Sequence, residues 1–153
     1  MSKSFVHLHA HTEYSMLDGA AKINDYLKKV KELNQPAAAI TDHGNLYGAL
    51  EFVRQAELQN IIPIIGYEAY VTPGSRFDRP ERDKNKRYHL TLLAENNIGY
   101  QNLVELVSKA YLEGFYYKPR VDYELLREHS EGIIALSGCL GGEVAQHLAP
   151  DGS

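Results

Sequence analysis

Histidine alternates with apolar residues near the start of the chain, and this alternation limits what the segment can form. In residues 5–11 the histidines are His7, His9 and His11. Because strand side chains point alternately to two faces, the pattern predicts a β-strand with all three imidazoles on one face. Imidazoles in an apolar core would need partners for both ring nitrogens. A polar, histidine-rich strand face is one interpretation. A metal site is the other, because neutral imidazoles bind transition metals well.

Length and composition are those of a single soluble globular domain. The 153 residues are 44% hydrophobic and 24% charged, which is enough to bury a core. The net charge of −4 excludes an overall basic field, so any binding of nucleic acid must be local or come from other segments. The single cysteine excludes a disulfide framework and favours a cytoplasmic location. No stretch has the length and apolarity of a membrane span.

Apolar runs alternate with helical patterns along the rest of the chain. This alternation predicts mostly right-handed βαβ units and a parallel sheet or barrel. About five strands are predicted, fewer than a closed eight-stranded barrel needs. We therefore expect either an open sheet or a domain, residues 1–153, that continues beyond the end of the chain. The predicted strands are 5–11, 37–41, 61–68, 88–94 and 132–137, and the predicted helices begin near residues 21, 45, 97, 122 and 142.

Two connecting segments differ from the rest in composition. Residues 73–87 are polar and charged, with Gly74 and Pro80, and we expect a mobile excursion there. Residues 114–120 form an aromatic connector.

Residue types that bind metals recur where the predicted strands end. Ligand sites of α/β folds lie at the carboxyl ends of strands. Each residue alone has an ordinary explanation; Glu68 could face solvent and Cys139 could be a small core residue. Their recurrence at one predicted edge favours a metal cluster. The residues in question are His9, His11, Asp18, His43, Glu68 and Cys139.

His89 stands at the beginning of its predicted strand, and its position depends on strand direction. If residues 66–72 and 88–94 form a long antiparallel hairpin, His89 lies at the same edge as Glu68. A parallel strand would place it at the opposite end. His129 and His147 lie on predicted helices and are interpreted as surface residues.

This number of nitrogen, oxygen and sulfur ligands exceeds the requirement of one ion. We expect two or three divalent ions, with Zn, Mn, Fe and Mg as the candidates. Two ions about 3.5–4 Å apart activate water and neutralise charge during displacement at phosphorus. The residues therefore predict phosphoester hydrolysis.

Three motifs resemble those of PHP (polymerase and histidinol phosphatase) domains. Longer stretches are similar to the PHP domains at the N-terminus of bacterial DNA polymerase III alpha subunits, and the resemblance covers nearly the whole chain. The three motifs are His7-x-His9-x-His11, Thr41-Asp42-His43-Gly44 and Gly66-x-Glu68. The longer stretches are residues 9–19, 67–70, 89–94, 114–120 and 137–139.

The resemblance implies a distorted seven-stranded (β/α) barrel with a trinuclear metal site, incomplete in this chain. The family also uses a late Asp-x-His pair, and no such pair follows Cys139. The implied metal ligands are His9, His11, Asp18, His43, Glu68, His89 and Cys139, of which the first five would also be catalytic.

The function implied by the resemblance is 3′→5′ exonuclease proofreading during DNA replication. The implied partners are the 3′ end of a DNA primer, the rest of the polymerase chain and other replisome subunits, with no membrane. Two alternatives stay open. One is a free-standing phosphatase of the histidinol-phosphatase type, and the other is a non-catalytic scaffold that binds metal for stability.

Overall fold

The computed structural model describes residues 5–16, 18–81, 84 and 86–149, in which strands and helices alternate as predicted. No helix in these residues is long and apolar enough to cross a membrane. The helices are α1 (Ile23–Glu32), α2 (Ala49–Gln59), α3 (Asn97–Leu112), α4 (Tyr123–Glu128) and α5 (Glu143–Leu148). The strands are β1 (Ala37–Ile40), β2 (Ile62–Val71), β3 (Tyr88–Ala94), β4 (Arg120–Val121) and β5 (Ile133–Leu136).

The strands form one mixed sheet around β2. β1 and β4 pair with β2 in parallel, whereas β3 is antiparallel to β2 and β5 is antiparallel to β3. The prediction of a parallel sheet therefore fails at β3 alone, which runs against the direction shared by β1, β2, β4 and β5. The physical reason is the connection between β2 and β3, which contains no helix among its described residues and returns the chain directly alongside β2.

Two apolar cores hold the helices to the sheet. The first packs α1 and α2 against β1, and the second packs α3 and α4 against β2 and β3. Each fully buried large side chain in these cores contributes about 1.5–3 kcal/mol relative to an exposed one. The first core includes Ile23, Leu27, Ala38, Ile40, Phe52 and Ala56. The second includes Tyr67, Ala69, Leu92, Leu103, Leu106, Val121 and Leu125.

The segment at residues 5–11 is not a regular strand and bends at Leu8, so this prediction is wrong. Two backbone hydrogen bonds join the described segment to the region of β1: Ala39 N–H donates to His7 O at 3.1 Å, and Thr41 N–H donates to Ala10 O at 2.9 Å. The Ala10 N–H donates instead to the Thr41 hydroxyl at 2.8 Å. A side chain thus takes the place of a backbone partner, and the ladder is interrupted.

Other element boundaries also differ from the predictions. The end of the aromatic connector forms β4, which pairs with Tyr70 and Val71 of β2. Asn45 does not cap α2, because its side chain accepts the N–H of Tyr47 at 3.0 Å before the helix begins. β5 lies within the strand predicted at 132–137 and is partly exposed, since Ile134 is 46% exposed.

The predicted excursion at residues 73–87 is anchored at its start by a group that we call the arginine network (Arg76, Glu113, Arg120 and Asp122). Arg76 is buried and donates from Nε to Glu113 at 2.6 Å and from Nη1 to Asp122 Oδ1 at 3.0 Å. Its backbone N–H also donates to Asp122 Oδ2 at 2.9 Å. These contacts fix the chain after β2 against the N-terminus of α4.

Arg120 completes this network from β4. Its side chain is fully buried, and it donates to the carbonyl oxygens of Gly114 at 3.0 Å, Arg76 at 3.0 Å and Asp78 at 2.7 Å. A guanidinium group carries five N–H donors, so one buried side chain can satisfy several loop carbonyls at once. The loop after β2 and the loop after α3 are thereby joined to β4 at one point.

Candidate metal centre

Two polar residues directly after β1 hold the histidine segment in place. The Thr41 hydroxyl accepts the N–H of Ala10 and donates to its carbonyl oxygen at 3.1 Å. The buried Asp42 accepts the backbone N–H of Thr12 at 2.6 Å and its hydroxyl at 2.8 Å. The sequence analysis missed this role, although a Thr-Asp pair that follows a buried strand is a usable signal. Residues 9–11 are therefore fixed beside the end of β1.

Glu68 reaches the same place from β2. Its N–H donates to Asp42 O at 3.0 Å, and its carbonyl accepts the Gly44 N–H at 2.9 Å. The turn at Gly44 has φ of +67°, and a Cβ there would lie 2.9 Å from Pro119 Cγ. Glycine therefore suits this turn both conformationally and sterically. The turn brings His43 alongside Glu68.

The buried carboxylate of Glu68 is the centre of the site. Its side chain is 2% exposed, and three imidazoles contact it. His9 Nε2 and His11 Nε2 lie 2.7 and 2.6 Å from Oε2, and His89 Nδ1 lies 2.9 Å from Oε1. The Nε2 atoms of His9 and His11 are 3.2 Å apart.

His89 reaches this carboxylate because β2 and β3 are antiparallel. The register pairs Tyr70 with His89 and Glu68 with Thr91, so His89 and Glu68 are diagonal neighbours on the hairpin. The conditional prediction for an antiparallel hairpin is confirmed.

Asp18 and His43 form a second part of the site. Their side chains meet at 2.6 Å between Asp18 Oδ2 and His43 Nε2. His43 Nδ1 lies 3.7 Å from Glu68 Oε2, and His11 Nδ1 lies 3.9 Å from Asp18 Oδ2. The backbone N–H of His43 donates to Ser15 Oγ at 2.9 Å, which fixes the residue. We call the whole group the histidine cluster: His9, His11, Asp18, His43, Glu68 and His89.

The charges of the histidine cluster depend on burial and on these contacts. Burial alone would raise the pKa of Glu68, but hydrogen bonds from His11, His89 and His9 hold this pKa well below its usual range. The hydrogen bond to Glu68 raises the pKa of His11 in spite of burial. Burial lowers the pKa of His43. Glu68 is therefore an anion and His43 a neutral imidazole at pH 7, which are the forms that bind metals.

The residues of the cluster fit divalent metal ions. Imidazole nitrogens and carboxylate oxygens together suit borderline and hard divalent metals. His43 Nδ1 is buried and has no hydrogen-bond partner among the described residues, as expected of an atom reserved for a ligand. Ligand atoms in each of three groups lie within 4.8 Å of one another: His9, His11 and Glu68; His11, Asp18 and His43; His43, Glu68 and His89.

The other candidate residues lie apart from these groups. Cys139 is exposed and belongs to none of the three groups found among the described residues, so its role as a ligand stays a prediction. His7 is exposed and packs against the ring of Phe5 with 4.8 Å between centroids. His129 lies near Asn102, and His147 contacts the backbone of its own helix.

An aromatic cavity of about 200 Å³ opens beside His43, and the sequence analysis did not predict it. Its wall includes Tyr47 and the side chains of the connector that precedes β4, among them Phe115 and Tyr117. The run of aromatic residues at 114–120 was the available signal. The histidine cluster and this cavity therefore share His43.

Comparison with known sequences identifies relatives of the chain. A family model for the PHP domain matches residues 7–152. A DNA polymerase III subunit alpha from Thermus aquaticus is 60% identical over 152 residues, covering 96% of this chain and 12% of that protein. The DNA polymerase III subunit alpha of Deinococcus radiodurans is 56% identical over 154 residues, covering 95% and 12%. The chain thus spans about 12% of the length of these curated relatives.

A solved structure is similar in fold. It comes from Bifidobacterium adolescentis, and its title names a metal-dependent phosphoesterase. The TM-score is 0.50 at 15% sequence identity, and the alignment covers 72% of this chain and 34% of that one. At this identity the likeness concerns the fold alone. The likeness confirms the predicted α/β class, and the chain fits part of the (β/α) barrel expected for it.

Proposed function

Because the chain belongs to the PHP domain family, we propose that its histidine cluster binds divalent metal ions and hydrolyses phosphodiester bonds. The proposed metal content is two or three ions drawn from Zn, Mn, Fe and Mg. The proposed reaction is removal of nucleotides from the 3′ end of a DNA primer. In this proposal residues 1–153 are the N-terminal PHP portion of a bacterial DNA polymerase III alpha subunit.

One observation carries the proposal. The buried Glu68 carboxylate is contacted by three imidazoles, while the buried Nδ1 of His43 has no hydrogen-bond partner in the part of the chain that the structure describes. A purely structural ion-pair cluster would satisfy its buried polar atoms. A cluster in which acceptor lone pairs outnumber hydrogen-bond donors is instead suited to binding a cation.

The chain's own residues prepare the site for this chemistry. Divalent ions held there would activate water and neutralise charge that develops at phosphorus. Asp18 accepts a hydrogen bond from His43 Nε2, which leaves the lone pair on Nδ1. Thr41 and Asp42 hold the segment that carries His9 and His11. His9, His11 and His43 are therefore positioned by further contacts within the protein.

The proposed substrate and partners rest on the relatives. DNA polymerase III alpha subunits that are 56–60% identical to this chain support DNA as the substrate and the rest of the polymerase as the partner. The net charge of −4 means that this chain has no overall attraction for DNA. In the proposed complex the primer end would therefore be guided by the polymerase and held locally at the site.

The first test is elemental analysis of the protein purified without added metal, together with digestion of a 5′-labelled primer. We expect two or three equivalents of metal and stepwise shortening from the 3′ end. Asp18→Asn and His43→Ala should each lose metal and digestion, because each removes a ligand atom from the cluster. His7→Ala is the matched control, since this histidine is exposed in the same segment.

The outcomes separate the alternatives. Full metal content and digestion in both variants would contradict the shared metal site. Metal without digestion in the wild type would support a metal-stabilised scaffold in place of an exonuclease.

A further inference from the structure

The aromatic cavity beside His43 has features of a base-binding site. We propose that it holds a base of single-stranded DNA by stacking, next to the phosphate that reaches the histidine cluster, and that Lys118 binds the DNA backbone. This inference rests on the proposed function, whose substrate class it narrows. A base-binding cavity would favour single-stranded nucleic acid over small phosphate esters as the substrate.

The cavity wall presents several aromatic rings to solvent. Tyr47, Phe115 and Tyr117 are 61%, 50% and 56% exposed. The ring of Tyr111 connects two of them, with its centroid 6.4 Å from that of Tyr47 and 6.0 Å from that of Phe115. Exposed apolar side chains gathered in one place usually mark a binding surface. Aromatic rings in particular offer stacking faces for bases of any sequence.

The backbone at Tyr117 is held in an uncommon conformation. This residue has φ of +61°, which is unfavourable for a bulky side chain. The strain is maintained by a tight turn in which Tyr116 N–H donates to Lys118 O at 3.1 Å. Such conformations persist where the surrounding structure imposes them, and they occur often at ligand sites. At this turn the strain places consecutive residues, Tyr117 and Lys118, on the wall of one cavity.

Lys118 supplies the only positive charge of a lysine or arginine among the described residues that line the cavity, and no carboxylate lines it. Its Nζ lies 5.4 Å from the centre of the Tyr70 ring, and that ring stacks on His43 at 5.7 Å and 16°. Lys118, the Tyr70 ring and the histidine cluster therefore lie next to one another in space, in that order. Spacing of this kind lets one DNA strand contact all three.

The size and chemistry of the cavity favour a base over a second copy of the chain or a peptide. Its volume of about 200 Å³ suits one planar ring system, and its wall is aromatic with a single cation. Base–aromatic stacking contributes about 1–3 kcal/mol for each base, and a lysine adds attraction for phosphate.

Binding of DNA without cleavage tests this inference. Fluorescence anisotropy in EDTA would compare a labelled thymidine octanucleotide with an octamer of the same charge that lacks all bases. Phe115→Ala should weaken binding of the thymidine octanucleotide about tenfold and leave the abasic octamer within twofold, because only the former can stack. Tyr47→Ala should act in the same direction and serves if Phe115→Ala does not fold.

The controls use residues with matched chemistry. Phe115→Tyr keeps an aromatic face and should bind like the wild type. Tyr100→Ala removes an exposed ring from the far end of α3 and should also bind like the wild type. If Phe115→Ala and Tyr47→Ala bind both octamers like the wild type, or weaken both equally, the inference is overturned.

A separate assay distinguishes failure of this inference from failure of the proposed function. Hydrolysis of bis(p-nitrophenyl) phosphate by the wild type with Mn²⁺ reports the metal chemistry alone. Hydrolysis without base-dependent binding would overturn the base site and leave the proposed function. Base-dependent binding without hydrolysis would support the base site and contradict the proposed catalysis.

Discussion

The histidine cluster and the arginine network are both built from buried charged side chains, but they differ in how their hydrogen bonds are balanced. In the arginine network, Arg76 meets three carboxylates, those of Glu113, Asp122 and Glu124, and Arg120 meets three carbonyl oxygens. In the histidine cluster, two imidazole nitrogens crowd one oxygen of Glu68, and a third imidazole keeps a buried nitrogen without a partner.

The difference indicates which centre is structural and which is a ligand site. Guanidinium groups carry several N–H donors and no acceptor, so carboxylates and carbonyl oxygens satisfy their hydrogen bonds. Neutral imidazoles each carry one lone pair that a cation can accept. Counting charges would make the two centres equivalent. The balance of hydrogen-bond donors and acceptors distinguishes the two centres, and each of the following predictions tests that distinction.

The largest expected effect is on stability, in the arginine network. Arg120→Met should lower the free energy of unfolding by about 3 kcal/mol, because several buried carbonyl oxygens lose a charged donor. Urea denaturation measures this loss. Arg127→Met changes an exposed arginine on α4 and should stay within about 0.5 kcal/mol of the wild type. A similar small change at Arg120 would mean that the network is not structural.

The second effect concerns metal and the histidine cluster. At a metal concentration of one hundred times Kd, Mn²⁺ or Zn²⁺ should stabilise the wild type by about 2.7 kcal/mol relative to EDTA. Glu68→Gln should abolish this difference, because the central anion is lost. Thermal unfolding with and without metal measures it.

The same measurement applied to the arginine network sharpens the comparison. A variant of that network, Asp122→Asn, should keep the full stabilisation by metal. Equal loss in Glu68→Gln and Asp122→Asn would contradict the assignment of metal binding to the histidine cluster alone.

The smallest effect is a pH dependence in the arginine network. Burial alone would raise the pKa of Asp122, but the backbone N–H groups of Arg76 and Leu125 and the guanidinium of Arg76 lower it. The unfolded chain therefore binds more protons in acid, and the stability due to this carboxylate falls as the pH falls. Asp122→Asn should cost about 1–2 kcal/mol at pH 7.

This cost should stay constant down to the pKa of aspartate in the unfolded chain, about 3.9, and shrink as the pH falls through the folded-state pKa. Urea denaturation between pH 7 and 3 measures it. Asp25→Asn is the control, since this exposed aspartate is 3.8 Å from Lys28 and should give little change at any pH. A cost at pH 3 equal to that at pH 7 would show that the charge of Asp122 is unimportant.

Much of the fold could be predicted because apolar periodicity reports burial. The helices predicted to begin near residues 97 and 122 are α3 and α4, and Asp122 caps α4 by accepting the Leu125 N–H at 3.0 Å. The direction of each strand was harder to predict, because a run of apolar residues does not show which strand it pairs with or in which direction. The antiparallel β2–β3 hairpin and the two-residue strand β4 follow from tertiary contacts that no local pattern records.

The candidate site was predictable where metal-binding residue types follow strands, and it was not predictable where support came from elsewhere. The side chains of His9, His11, His43 and Glu68 lie together, although Glu68 lies within β2 and not at its end. Arg76 lies in a stretch whose polarity suggested solvent, and only the positions of Glu113 and Asp122 explain its burial. Long-range pairing between charged residues leaves no signature in local composition.

The central position of Glu68 also sets an order of events during synthesis. His9 and His11 precede it by 59 and 57 residues, and His89 follows in the next strand. The N-terminal histidines therefore leave the ribosome long before the carboxylate that gathers them. Closing a loop of this length has an entropic cost that must be met by sheet pairing first. Of the three ligand groups, the one that includes His89 is consequently completed last, because it needs the β2–β3 hairpin.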